Sequence, residues 1–181
     1  MFINFSIFSR WLSLAVGGVG LSATTLARIR NVGNIHVALA SLGTSAVHVA
    51  GTMYRSETWL ANNKTLTGIG VLNGATVGTD TLTLSLYTSA GVLVAQTAAV
   101  LSAGANLMQD IPFTTAYAAK GPARYFVQVQ CNGTTATTRR IAVGTSGLMT
   151  ASAAGVYGTV PASFTPPTTF TDATGPIADL Y

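Results

Sequence analysis

The chain has 181 residues, a formal net charge of +4, and only 8% Asp, Glu, Lys and Arg against 49% apolar residues. A charge content about a third of the ~25% usual for a soluble domain argues against a freely dispersed monomer and for a subunit that buries surface against other protein. The cations (Arg10, Arg28, Arg30, Arg55, Lys64, Lys120, Arg124, Arg139 and Arg140) are scattered, so the basic patch of a nucleic-acid binder is missing.

Residues 1–45 have mixed periodicity. Ile3, Phe5 and Ile7 alternate with Asn4 and Ser6 as in a strand, while Phe5, Phe8, Leu12 and Ala15 fit one helix face. The segment is expected to be an arm shaped by a partner. Phe2–Leu14 lacks the positive start of a signal peptide, and Arg10 interrupts it. Trp11–Ala27 is uncharged but carries Gly17, Gly18, Gly20 and several hydroxyls, so neither a signal peptide nor a membrane helix is expected.

Residues 46–160 read as a β-domain. Ala46–Arg55 and Thr65–Leu72 are expected strands. Trp59, between Glu57 and Asn62-Asn63, falls in a loop-like stretch. Thr81–Tyr87 alternates strictly and puts Leu82, Leu84 and Leu86 on one face. Thr88-Ser89-Ala90-Gly91 then turns the chain into a second strand, Val92–Thr97. Met108–Thr114 is a further strand, with Pro112 marking an edge position or a strand end. In Arg124–Cys131, Tyr125, Val127 and Val129 oppose Phe126, Gln128 and Gln130, and Asn132-Gly133 closes the strand. Thr137–Val143 follows. Short strands without helices between them predict an all-β fold: a two-sheet β-sandwich of about seven to nine strands, jelly-roll or immunoglobulin-like, with extended N- and C-terminal arms. The predicted core is Ile69, Leu82, Leu84, Leu86, Val92, Val94 and Phe126, with Tyr125 and Val127 as the alternative to Phe126.

Residues 161–181 hold Pro161, Pro166, Pro167 and Pro176, and the Pro-Pro pair enforces an extended path. This tail is expected to lie on another surface rather than to enter the core as a strand.

No catalytic constellation is present in the pattern. No two of Glu57, Asp80, Asp110, Asp172 and Asp179 are close in sequence, and His36 and His48 have no ligand at metal spacing. Cys131, the single cysteine, lies in an apolar run and reads as a small buried hydrophobe. Neither catalysis nor a cofactor nor a metal is expected. Candidate partner contacts are of three kinds. Arg139-Arg140 sits within a strand, so one of the two points inward; an intersubunit salt bridge and a solvated edge are both open. Trp59 suits a sugar ring, an interface or a core. Phe5, Phe8, Trp11, Pro167 and Phe170 are apolar anchors of the arms, with Arg10, Arg28 and Arg30 available to acidic patches.

Three stretches carry a resemblance: "LTGIGVLNGATVGTDTLTLSLYTSAGVLVA" (66–95), "IPFTTAYAAKGPARYFVQVQ" (111–130) and "PASFTPPTTFTDATGPIADLY" (161–181). Together they resemble small β-sandwich virion proteins of tailed bacteriophages, found as capsid decorations or fibre-like appendages. The resemblance spans about residues 46–181 and implies no catalytic residues. It implies a structural virion protein that decorates or cements a capsid as a homo-oligomer, a trimer being the first expectation, in contact with other virion subunits. The alternative is an appendage that binds host surface glycans; a secreted carbohydrate-binding module ranks below both.

Overall fold

The computed structural model describes the backbone of residues 29–30, and residues 38–142 and 148–181 in full. Its strands are β1 (Ile29–Arg30), β2 (Thr44–Val47), β3 (Met53–Leu60), β4 (Lys64–Leu72), β5 (Thr81–Thr88), β6 (Leu93–Gln96), β7 (Val100–Leu101), β8 (Met108–Ala119), β9 (Ala123–Cys131), β10 (Thr137–Arg140), β11 (Thr150–Ala153) and β12 (Ala178–Leu180). One 3-10 turn covers Leu39–Ser41.

Two antiparallel sheets face each other. One runs β1-β12-β4-β8; the other runs β11-β3-β9-β5-β6, with β7 also on β5; β2 and β10 form a separate ribbon. Leu66, Ile69, Val71, Ile111 and Leu180 of the first sheet meet Tyr54, Leu60, Leu82, Leu84, Leu86, Tyr125, Val127, Val129 and Cys131 of the second in one buried cluster. The predicted sandwich is the fold, built by the period-two alternation of its strands. Leu84 is fully buried at the centre of this cluster. Leu84→Ala is expected to lower unfolding stability by about 2–5 kcal/mol in urea titration; a loss below about 1 kcal/mol would mean that the hairpin register is wrong.

The 81–97 hairpin forms as expected, and its turn needs Gly91 at φ +76°. A side chain there would also strike the Phe164 carbonyl. Two irregularities shift the alternation. In β6 the register slips between Leu86 and Tyr87 of its partner, so Ala95 rather than Val92 enters the core. Val92 stays at the turn, 49% exposed, against the sequence expectation; Val94 is half-buried against the core. In β4 a bulge between Leu66 and Gly68 re-phases the strand, so Leu66, Ile69 and Val71 all point inward. Opposite that bulge, β8 bows away from β4, and the Thr114 hydroxyl reaches the Gln96 carbonyl at 3.1 Å.

Several expectations need correction. Ala46–Arg55 is not one strand: a turn at Ala50–Gly51 separates β2 from β3. Trp59 lies within β3 rather than in a loop. The C-terminal tail is extended, but it lies on its own domain and ends as a core strand. Leu72 N–H donates to the Ile177 carbonyl (2.9 Å), Ser56 Oγ donates to the Pro176 carbonyl (2.7 Å), and β12 pairs with β4. The reason is burial: Ile177, Ala178 and Leu180 supply apolar side chains that the sheet edge would otherwise leave uncovered. Phe170 packs against the satellite cluster Leu42, Leu72, Ile141 and Ile177 on the same domain, and Pro167 is half-buried nearby in the chain.

Candidate functional site: the outer face of the six-stranded sheet

Alternation in β3 sends Tyr54, Thr58 and Leu60 inward and Met53, Arg55, Glu57 and Trp59 outward. Antiparallel pairing then sets Arg55 opposite Gln128, Glu57 opposite Phe126 and Trp59 opposite Arg124. Gln130 faces Thr83, Gln128 faces Ser85, and Phe126 faces Tyr87 across β9 and β5. The outer face is therefore a polar row flanked by an aromatic row.

Most of this face is roofed by a strap, residues 155–164. Gln130 Nε2 donates to the Gly51 (2.7 Å) and Val156 (3.1 Å) carbonyls. Tyr157 Oη meets Thr81 Oγ1 at 2.9 Å and accepts from Thr83 Oγ1 at 3.1 Å. Tyr87 Oη donates to the Pro161 carbonyl at 3.1 Å. Leu93 N–H donates to Ala162, and Phe164 N–H donates to Gly91, both at 2.9 Å.

Beneath and beside the strap, cations and rings alternate. The Arg55 guanidinium lies 4.1 Å from the Phe164 ring centre, with Nε donating to Gln128 Oε1 at 2.8 Å. Phe164 meets Tyr87 and Phe126 edge-to-face at 4.9 and 5.5 Å. Arg124 stands 5.5 Å from the Phe126 centre. Burial pulls the Arg55 pKa down and pushes the Tyr87 phenol up. Ring faces and amide oxygens thus hold Arg55 by quadrupole attraction and hydrogen bonding. Trp59 is the last outward ring along this row, and it is 54% exposed. Beside it, Glu57 Oε2 accepts the Met149 N–H at 3.1 Å.

The other predicted contacts fare differently. Arg140 is buried inside its own domain, 3.6 Å above the Tyr54 ring, with Nη2 donating to the Val47 carbonyl at 2.9 Å. It is the inward member of the arginine pair and is withdrawn from any partner surface. Arg139, half-buried, donates to Asn106 Oδ1 at 2.7 Å. Arg30 stands opposite Asp179 in the β1–β12 ladder. Phe5, Phe8, Arg10, Trp11, Arg28 and His36 lie outside the described residues. Arg124 was missed in the sequence, although its spacing of two from Phe126 places it on the same face; only the pairing of β3 with β9 brings it to Trp59.

Elsewhere, chemistry is sparse. Among the described residues no three His, Cys, Asp or Glu side chains gather, and no helix is long and apolar enough to cross a membrane. Asp110 and Asp179 do share a register row, on either side of Gly70, but Asp179 is fully buried. Asp80 pins the 132–136 loop by accepting the Thr135 (2.7 Å) and Ala136 (2.8 Å) N–H groups, and these bonds, Ala136 foremost, hold its carboxyl below the usual range. The buried Cys131 thiol, raised by burial, lies 3.8 Å from Asp80 Oδ2. A cleft of about 270 Å³ where β6 meets the bow of β8 is lined by residues 93–96 and 114–116 and contains no titratable side chain. Comparison with protein-family models, curated proteins and solved structures finds no match.

Proposed function

We propose that this chain is a non-catalytic structural subunit of a tailed-phage virion, decorating or cementing the capsid as a homo-oligomer. The observation that carries the reading is the poverty of charge, 8% of the sequence, on a sandwich that exposes Val47, Val49, Val92, Leu101, Leu107 and Val156. Such a surface gains by association: apolar area removed from water contributes about 25 cal/mol per Å², and small contacts repeated over many copies stiffen a shell. Beneath it, the described buried arginines rest on rings, a side-chain amide and a carbonyl within the domain, which supports a packing role for them. The N-terminal segment, with Phe5, Phe8, Arg10, Trp11 and Arg28, is the proposed attachment to neighbouring virion subunits, since the C-terminal tail is used up on its own sheet.

Two measurements test this. Sedimentation of the purified chain is expected to give an oligomer, a trimer first, at tens of micromolar protein; a stable monomer across about that range contradicts it. Densitometry of purified particles is expected to give tens to hundreds of copies, as order-of-magnitude figures for shell decoration, and removal of residues 1–28 is expected to abolish attachment while leaving the sandwich folded. A count of only a few copies per particle would instead place the chain at an appendage.

A further inference from the structure

We propose that Trp59 and Arg124 form a saccharide-binding platform on the outer sheet face, taking a pyranose ring of a neutral glycan flat against the indole, with Arg124 and Glu57 at its rim. This is independent of the assembly role above.

The first observation is the exposure of Trp59. Its strand neighbours on the same face, Met53 and Arg55, are buried, and the strap covers the aromatic row as far as Phe126. Trp59 alone is left open at 54%. It stands in an eight-residue strand paired along its length with β9, so its backbone is fixed by the β9 ladder, as a binding aromatic requires. The second is Arg124, directly across from it. Cross-strand neighbours have Cβ atoms about 4.5–5.5 Å apart, and Phe126 beneath the guanidinium orients it before any ligand arrives. The third is Glu57, two residues away on the same face, whose Oε2 is engaged by Met149 while Oε1 keeps its acceptor capacity.

These three groups select the ligand class. The axial C–H groups of a pyranose suit the electron-rich face of an indole, and its hydroxyls both donate and accept, matching Arg124 as donor and Glu57 as acceptor. A nucleic-acid strand would bring phosphates against the Glu57 carboxylate with one cation to offset them. An apolar peptide would desolvate Glu57 and Arg124 without replacing their water.

The experiment uses the full chain with Trp11→Phe, which leaves Trp59 as the sole tryptophan of the two. Its fluorescence is followed during titration with cellotetraose, chitotetraose and mannotetraose to about 20 mM, well above the ~1 mM dissociation constant suited to one ring contact. A saturable shift with at least one sugar is expected. In isothermal titration with that sugar, Trp59→Ala is expected to weaken binding at least tenfold, Arg124→Gln about three- to tenfold and Glu57→Gln about threefold, all with unchanged urea midpoints. No saturable response to any of the three sugars overturns the proposal, as does equal binding by Trp59→Ala. A stronger response to an eight-nucleotide oligothymidylate overturns it in favour of nucleic acid. A spectral shift driven by protein concentration alone, without sugar, overturns it in favour of a protein interface.

Discussion

Lowering the pH from about 6.5 to about 4 is expected to cost this fold roughly 3 kcal/mol, and His48→Phe is expected to remove most of that loss. His48 is 1% exposed, meets the Tyr54 ring edge-on at 5.4 Å, and has no hydrogen-bond partner at either ring nitrogen among the described residues. Burial first, and the nearby Arg140 charge second, lower its pKa from 6.5 to about 3, with Asp80 acting more weakly in the other direction. The unfolded imidazole takes up a proton as the pH falls through about 6.5, whereas the folded one does so only near 3. Between those values the unfolded chain binds more protons, so stability present at neutral pH is lost on acidification, by about 1.4 kcal/mol per pH unit. Asp80 works in the same direction, since its carboxyl is held low in the fold, but only below the ordinary carboxylate range near pH 3.8. The window from 6.5 to 4 therefore lies above most of the Asp80 contribution, and the difference between the native chain and His48→Phe reads the imidazole's share. Urea midpoints at intervals across it make the measurement; a flat profile would mean that the imidazole is hydrated or paired in solution.

Phe126→Ala is expected to cost about 3–4 kcal/mol and to loosen the strap in the same step. Phe126 is fully buried, yet on the outer face of its sheet; what covers it is Phe164, 5.5 Å away edge-to-face. Removing either ring deprives the other of one aromatic partner, and loss of Phe164 also removes the face on which Arg55 rests. The two alanine substitutions are therefore expected to be non-additive, with a coupling of about 0.5–3 kcal/mol in a double-mutant cycle. Limited proteolysis of the single variants is expected to cut first within residues 155–164. Strictly additive losses, with the strap still protected, would show that the roof is held by its backbone bonds to Gly91 and Leu93 rather than by its aromatic anchor.

Phe126 also shows where local pattern stops being informative. The sequence alternation of Tyr125–Cys131 leaves open which face turns inward, and the answer is that both are buried: Tyr125 and Val127 between the sheets, Phe126 under the strap. A strand covered on both sides gives no polar face by which to choose. Likewise Thr83 and Ser85, on the face of their strand opposite Leu82 and Leu84, are buried with Tyr87.

From its sequence alone, this protein is determined to be all-β and charge-poor, with a hairpin at 81–97 turning at Gly91 and an edge or strand end marked by Pro112. These are properties of neighbouring residues: period-two alternation, turn chemistry and the missing donor of proline act within a few positions of the chain. Only the tertiary structure decided that Trp59 lies on a strand beside Arg124, that Arg140 is spent on Tyr54, that bulges exchange Val92 for Ala95 in the core, and that the proline-containing tail closes its own sheets. Each of these depends on which distant segments pair and in what register. Main-chain hydrogen bonding is the same for every pairing, so the choice is made by the summed burial of the whole sandwich.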